Sequence, residues 1–335
     1  MMGRQKLTLL VLMAASPLWL DISSTRAILI NISNSGFEDI SGETPVNEFT
    51  CGPPNGWDLY DPGVITGGGA GGTYFIGTLT PFEPDPIGNP GVFANFPAGA
   101  AEGQRVAIAF NFQGSDGQGE YGMVATLGDT LQANTIYMLS VEIGNIDSAT
   151  STGGSFFDLR GLPGYRVDLL AGVDLPSGGV IVAQDNNSLF EAINDGEFLT
   201  STVTLTTGSA HPQLGQTLGI RLVNLNQIGP AFPDSDLEVD FDNVRLDAVA
   251  TIAGNFDQDD DIDGADLLIF QRGFTNLFDV GDFVDWETNF SSALPLTALA
   301  QVPEPTTLCL LFSAALLTFF NGLRPMTVAF HRIDR

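Results

Sequence analysis

Positive charge is what this chain has least of. Its 335 residues carry 12 Lys and Arg against 40 Asp and Glu, a formal net charge of −28. Lys6 is the single lysine, and between residues 28 and 302 six arginines face 37 acids. Such a surface repels phosphate backbones and anionic headgroups, which excludes nucleic acid and acidic lipid as partners. Cysteine is scarce too: Cys51 and Cys309 stand alone, the second inside an apolar run. A disulfide framework is therefore excluded, and the fold must stand on packing. Of the two histidines only His211 lies in the body, within the turn-like GSAHPQLG. A zinc centre built from histidines is excluded by number, and a Ser-His-Asp triad would depend on that one imidazole.

What is present is strand. ILINIS, GVFANF, RVAIAF, YGMVATL, TIYMLSVEIG, GYRVDLLAG, GVIVAQD, FLTSTVTLT, LGIRLVNL and LEVDFDNVRLDA recur between clusters of Gly, Asn, Asp and Ser. Ten such runs without a long amphipathic helix predict an all-β body over residues 28–249, a two-sheet sandwich of jelly-roll topology. GGGAGG (67–72) satisfies the G-x-G-x-x-G spacing. No strand-to-helix unit surrounds it, so it reads as a flexible loop rather than a dinucleotide site.

Both ends read as addresses. Arg4 and Lys6 precede the uncharged stretch Leu7 to Leu20, and STRA ends at Ala27. This is the pattern of a secretory signal peptide over residues 1–27, so the protein is expected to be exported. Thr306 to Leu323 is an uncharged, mostly apolar run of 18 residues, about 27 Å as a helix and long enough to span a bilayer. Arg324, Arg332 and Arg335 follow it, which orients the tail inward. Residues 293–302 form a linker, and VPEPTT (302–307) stands just before the span. Val-Pro-Glu-Pro, an apolar helix and then arginines resemble the PEP-CTERM sorting signal. That resemblance implies an exosortase partner reading Pro303, Glu304 and Pro305, a transient anchor in the inner membrane, and a surface or extracellular destination. The arginines are more dispersed than the family's tight cluster, so a plain C-terminal transmembrane anchor is the alternative.

The stretch NFDQDDDIDGAD (255–266) places six aspartates in twelve positions. Counted as a calcium loop, oxygen side chains fall at Asn255, Asp257, Asp259, Asp263 and Asp266, with the backbone carbonyl of Asp261 at position 7. Ile262 supplies the apolar anchor. Position 6, normally Gly, is Asp260, and position 12 is Asp rather than Glu. The loop and the helical LLIFQRGF after it resemble half of a dockerin, an EF-hand-like calcium module, placed over residues 250–292. A shift of 16 residues superposes Asp263 on Asp279, Asp266 on Asp282, Phe270 on Trp286 and Phe274 on Phe290. The front of the second loop is lost, so one Ca2+ is expected here. Dockerins meet cohesins through loop positions 10 and 11, which are Gly264 and Ala265 here, and this speaks against a cohesin partner.

The body is bracketed by SNSGFED (33–39) and VDFDNVRLDA (239–248), with PPNGWDLYDP (53–62) between. The bracket resembles galactose-binding-like jelly rolls of carbohydrate-binding modules, and the middle resembles the calcium-dependent Stig cyclases. Both resemblances imply that the first and last strands are neighbours and share a structural Ca2+, with Glu38 and Asp242 at the ligand positions. The Stig resemblance also implies an acid near the last strand, for which Asp240 is the matching residue. A glycan or extracellular polysaccharide would stack on Trp57 and Tyr60. With no persuasive catalytic constellation in the residues themselves, the main expectation is a non-catalytic, calcium-stabilised, glycan-binding surface or matrix protein. The alternative is a Stig-cyclase-like enzyme acting on a small aromatic substrate.

Overall fold

A computed structural model describes residues 27–81, 95–112, 119–257, 261–274, 278 and 280–291. The signal peptide, Asp259, the sorting tripeptide Pro303-Glu304-Pro305 and the expected membrane helix lie outside these residues. Among the described residues no helix is long and apolar enough to cross a membrane.

Two sheets make the body. The larger contains β1 (Ile28–Ile30), β2 (Pro45–Val46), β3 (Phe49–Thr50), β5 (Tyr74–Leu79), β6 (Val106–Asn111), β8 (Thr135–Asn145), β13 (Glu197–Thr207) and β15 (Leu237–Ala250). Its order is β13-β8-β15-β6-β5-β3-β2, with β1 beside β15. The smaller holds β4 (Asp58–Tyr60), β7 (Tyr121–Thr130), β11 (Tyr165–Gly172), β12 (Val180–Asn186) and β14 (Thr217–Asn224), in the order β12-β11-β14-β7-β4. A short ribbon, β9 (Ala149–Thr150) with β10 (Phe156–Phe157), stands apart. The all-β sandwich is therefore observed. GVFANF lies mostly outside the described residues and ends at Asn95 and Phe96 in irregular chain, whereas TYFIGTL, after the glycines, forms β5.

β15 organises the larger sheet. Its first half, Leu237 to Phe241, pairs with β6, and its second half, Leu246 to Ala248, pairs with β1. The register against β8 slips between Asp242 and Arg245, where Asn243 takes φ +49°. A bulge of this kind twists a strand and re-aims its side chains. First and last strands are thus neighbours.

Alternate residues of the larger sheet bury Ala107, Ala109, Leu139, Val141, Ile143, Val239 and Phe241 against Met123, Val167, Leu169, Ile220 and Leu222 of the smaller one. The opposite face of the larger sheet is covered as well. Ile108 and Phe110 pack there with Leu79 of β5, with Phe96, Ile146 and Leu159 from loops, and with Phe157 of the β9–β10 ribbon. Every residue of β6 is consequently buried, as expected of a strand covered on both faces.

On the outside of the smaller sheet Asp168 is completely buried between two arginines. Arg166 Nε reaches Asp168 Oδ1 at 2.9 Å and Arg221 Nη2 reaches Oδ2 at 2.7 Å. Arg166 continues to Glu120, and the Arg221 guanidinium lies 4.2 Å from the centre of the Tyr60 ring.

After β15 come α1 (Gly264–Gly273) and α2 (Val280–Asn289). Asp263 caps α1, accepting from Ala265 N at 2.6 Å, while Asp266 Oδ2 accepts from Asp263 N at 2.8 Å. This reciprocal capping box fixes the start of the helix. Phe270 meets Phe256, Phe274, Phe278 and Phe283, and Trp286 donates to Asp263 O at 2.8 Å.

Candidate active site

The covered outer face of the larger sheet carries an unexpected row of carboxyls. Glu238, Asp240 and Asp242 alternate with the core residues Val239 and Phe241, so the strand's two-residue period turns all three away from the sandwich interior. Glu238 stands opposite Phe110 and Asp240 opposite Ile108, and all four are buried. Asp240 is 0% exposed, and among the described residues neither of its oxygens has a hydrogen-bond partner; Glu238 Oε1 has none there either. Burial pushes Asp240 well above the usual carboxyl range, with Glu238 and then Asp242 adding to it. Burial likewise raises Glu238 to about 8, with Asp236 adding. Burial and their mutual repulsion both favour the neutral form of these two carboxyls.

A cavity of about 370 Å³ opens on the same face, within the size range of small-molecule sites. Ile108 and Phe110, the cross-strand partners of Asp240 and Glu238, line it with Phe49, Phe75, Phe112 and Phe157. The rings form a connected box: Phe75 to Phe110 is 4.9 Å, Phe110 to Phe157 5.7 Å and Phe112 to Phe157 6.2 Å between centres. Gly144, opposite Asp240, leaves room for the covering aromatics. A Cβ there would stand 2.6 Å from Phe198, 2.8 Å from Phe96 and 2.9 Å from the Asp240 Cβ. Phe96 and Phe198 stack at 4.2 Å over Gly144, and Asp240 lies behind the cavity wall at Ile108 rather than among the lining residues. Ala70, Gly71 and Gly72 of the glycine run form part of the cavity wall, so that segment is a packed rim. A Cβ on Gly71 would sit 2.4 Å from Thr66 O.

The remaining candidates fall elsewhere. Trp57 is buried, its ring tilted against Phe37 at 5.2 Å and its N–H donating to Asn34 O at 3.4 Å. Tyr60 lies under Arg221 and donates to Glu120 at 2.6 Å. Trp57 is therefore part of the core, and one face of the Tyr60 ring is occupied by a cation.

Glu38 and Asp242 do come into one neighbourhood. Glu38 Oε1 accepts from Gln104 N and Arg105 N at 2.7 and 2.8 Å, and Asp242 Oδ2 accepts from Glu102 N at 2.6 Å. Asp242 is raised to about 7, first by burial and then by Glu102 and Glu38. Glu102 is a third acid of this cluster, missed because its loop carries no periodic signal. In the loop after β15, Asp257, Asp263 and Asp266 each bring an oxygen within 4.8 Å of the other two. Asp266 Oδ1 also takes Phe256 N and Asp257 N at 2.6 and 3.1 Å; Asn255 is buried and Asp261 exposed.

The HpiC1-like family, described as HpiC1 cyclase, matches residues 28–247. The chain belongs to the HpiC1-like cyclase family. No curated protein matches it, but solved structures do. The Stig cyclase Fisc from Fischerella sp. TAU, in complex with (3Z)-3-(1-methyl-2-pyrrolidinylidene)-3H-indole, is 36% identical with a TM-score of 0.52. That match covers 68% of this chain and 100% of the other. A cyclase from the same organism, in complex with 4-(1H-indol-3-yl)butan-2-one, is also 36% identical with a TM-score of 0.52, over 67% of this chain and 99% of that one. An apo cyclase from Fischerella sp. is 35% identical, TM-score 0.51, over 67% and 98%. These matches overturn the expectation of a non-catalytic surface or matrix protein, since the HpiC1-like body is that of an enzyme.

Proposed function

We propose that this HpiC1-like protein is a cyclase that protonates a small aromatic substrate inside the phenylalanine-lined cavity, with Asp240 as the acid. The observation that carries the reading is a fully buried carboxyl without partners, across the strand from a cavity-lining residue. A carboxylic acid kept neutral in an apolar site is a proton donor at neutral pH. Its O–H bond breaks as a C–H bond forms on the substrate's electron-rich carbon. The resulting cation is attacked by a neighbouring π bond, closing a carbon–carbon bond, and the ring then loses a proton back to the Asp240 carboxylate. Reactant and product are isomers, so no co-reactant is needed. The aromatic box excludes water that would otherwise capture the cation, and its faces stabilise positive charge. The relatives' indole ligands make indole-bearing compounds the first substrates to try. Asp240→Asn, of nearly equal shape, should lower turnover by roughly 10²–10⁴-fold while binding persists; full activity in the variant would refute the assignment.

Calcium supports the scaffold in this reading. Hard oxygen donors suit that ion, and a cation near Glu38, Glu102 and Asp242 would relieve the mutual repulsion that helps raise Asp242. The second proposed site is the loop of Asp257, Asp263 and Asp266, with Asn255, Asp259 and the Asp261 carbonyl completing the set. Export by the leader and exosortase sorting at Pro303-Glu304-Pro305 rest on the sequence patterns of the two ends. Mass spectrometry of the mature protein tests them, and an intact Arg335 terminus would count against sorting.

A further inference from the structure

One carboxylate lies in the cavity itself. Among the described residues that line it, Glu48 is the only one with a formal charge. It sits in the two-residue turn between β2 and β3, after Asn47 at φ +59°, and its carbonyl accepts from Thr80 N at 2.9 Å. The side chain is 7% exposed. Thr152, in the loop joining β9 to β10, holds it from across the cavity mouth: the Thr152 N–H reaches Oε1 and Oε2 at 3.3 and 3.1 Å, and the hydroxyl donates to Oε2. A carboxylate accepts along about four directions, so the Glu48 carboxylate retains acceptor capacity in a cavity it lines together with Phe49, Phe75, Phe110 and Phe157. Glu48 is on a different element from Asp240, some 190 residues earlier in the sequence.

We propose that Glu48 is the substrate-recognising residue of this cavity, accepting a hydrogen bond from a ring N–H of the aromatic substrate and facing the positive charge that develops on that nitrogen. The assignment rests on the cavity being the cyclase site. An apolar pocket with one fixed carboxylate favours a planar ligand bearing a single strong donor, because a ligand without it leaves a buried charge with no further partner. Once the ring is protonated, positive charge spreads onto its nitrogen. A carboxylate already oriented by Thr152 then stabilises that charge without reorganising.

The role is separable from that of a strap tying the β2–β3 turn to the β9–β10 ribbon. Binding of 4-(1H-indol-3-yl)butan-2-one and of its N1-methyl counterpart is measured by titration calorimetry on the full chain, Glu48→Met and Thr152→Val. Wild type should bind the N–H compound roughly 10–100-fold more tightly than the N-methyl one, the range for a hydrogen bond to a charged acceptor. In Glu48→Met that preference should vanish through loss of N–H binding alone. Thr152→Val, which loosens the strap and keeps the carboxylate, should retain the preference. Equal losses for both compounds in Glu48→Met, or a wild type that does not distinguish them, would overturn the recognition role and leave the cyclase reading standing. Failure of wild type to bind either compound would sink the reading of the cavity, and this inference with it.

Discussion

Glu238 offers a direct test of how dry the outer face of the sheet is. Burial raises its pKa from 4.5 to about 8. Between those values the folded protein holds a proton that the unfolded chain has released. Stability from this group is therefore fully present below pH 4.5 and is lost as pH rises toward 8. While the two states differ by nearly one proton, stability falls by a little over 1 kcal/mol per pH unit, so from pH 5.5 to 7.5 the loss is roughly 2–3 kcal/mol. Glu238→Gln keeps the shape and removes the titration. Urea unfolding at pH 5.5, 6.5 and 7.5 should show a steep decline in wild type and one shallower by roughly 2–3 kcal/mol over this range in the variant. Asp240, raised in the same direction, keeps part of the decline in both proteins. Parallel curves would mean that Glu238 ionises normally and that water reaches this face, removing the physical basis for a neutral Asp240.

The other expectations follow from particular contacts. Asp240→Asn should abolish turnover of an indole-bearing substrate without loss of the fold, read by product formation and circular dichroism. Glu48→Met should erase the preference for a ring N–H, read by calorimetry. Asp168→Ala should destabilise the sandwich by about 3–5 kcal/mol, because it leaves the largely buried Arg221 without its carboxylate and takes one of two from Arg166; a denaturant midpoint unchanged from wild type would contradict that. Asp257→Asn with Asp263→Asn keeps a capping side chain at α1 while removing two charges, and should eliminate one calcium-binding event in titration calorimetry. Unchanged stoichiometry would remove the loop site.

Much of the scaffold could be read along the chain because its signals are local. Runs such as TIYMLSVEIG and GYRVDLLAG carry strand propensity in their own residues, and both fold as strands. The helical LLIFQRGF was legible for the same reason and falls in α1, whereas Asp263 and Asp266, read along the chain only as calcium ligands, also form its capping box. TYFIGTL was missed as a strand because the glycine run before it suggested an open loop. Tertiary packing against β6 decides its conformation, and propensity alone does not carry that information.

The functional face misled for a physical reason. In VDFDNV the acids alternate with Val239 and Phe241, and alternation of that kind ordinarily marks a strand with one face in water. Nothing within β15 says otherwise. The loop at Phe96, the β9–β10 ribbon with Phe157, and Phe198 of β13 cover that face, and they come from distant parts of the sequence. Their arrival turns Asp240 from a solvated acid into a dry one, and the same folding brings Thr152 to Glu48 across 104 residues. Acidity, strand content and helix capping were thus set by near neighbours in the chain. Protonation, the cavity and the environment of each carboxyl depend on which distant surfaces exclude water, and only the tertiary structure decides that.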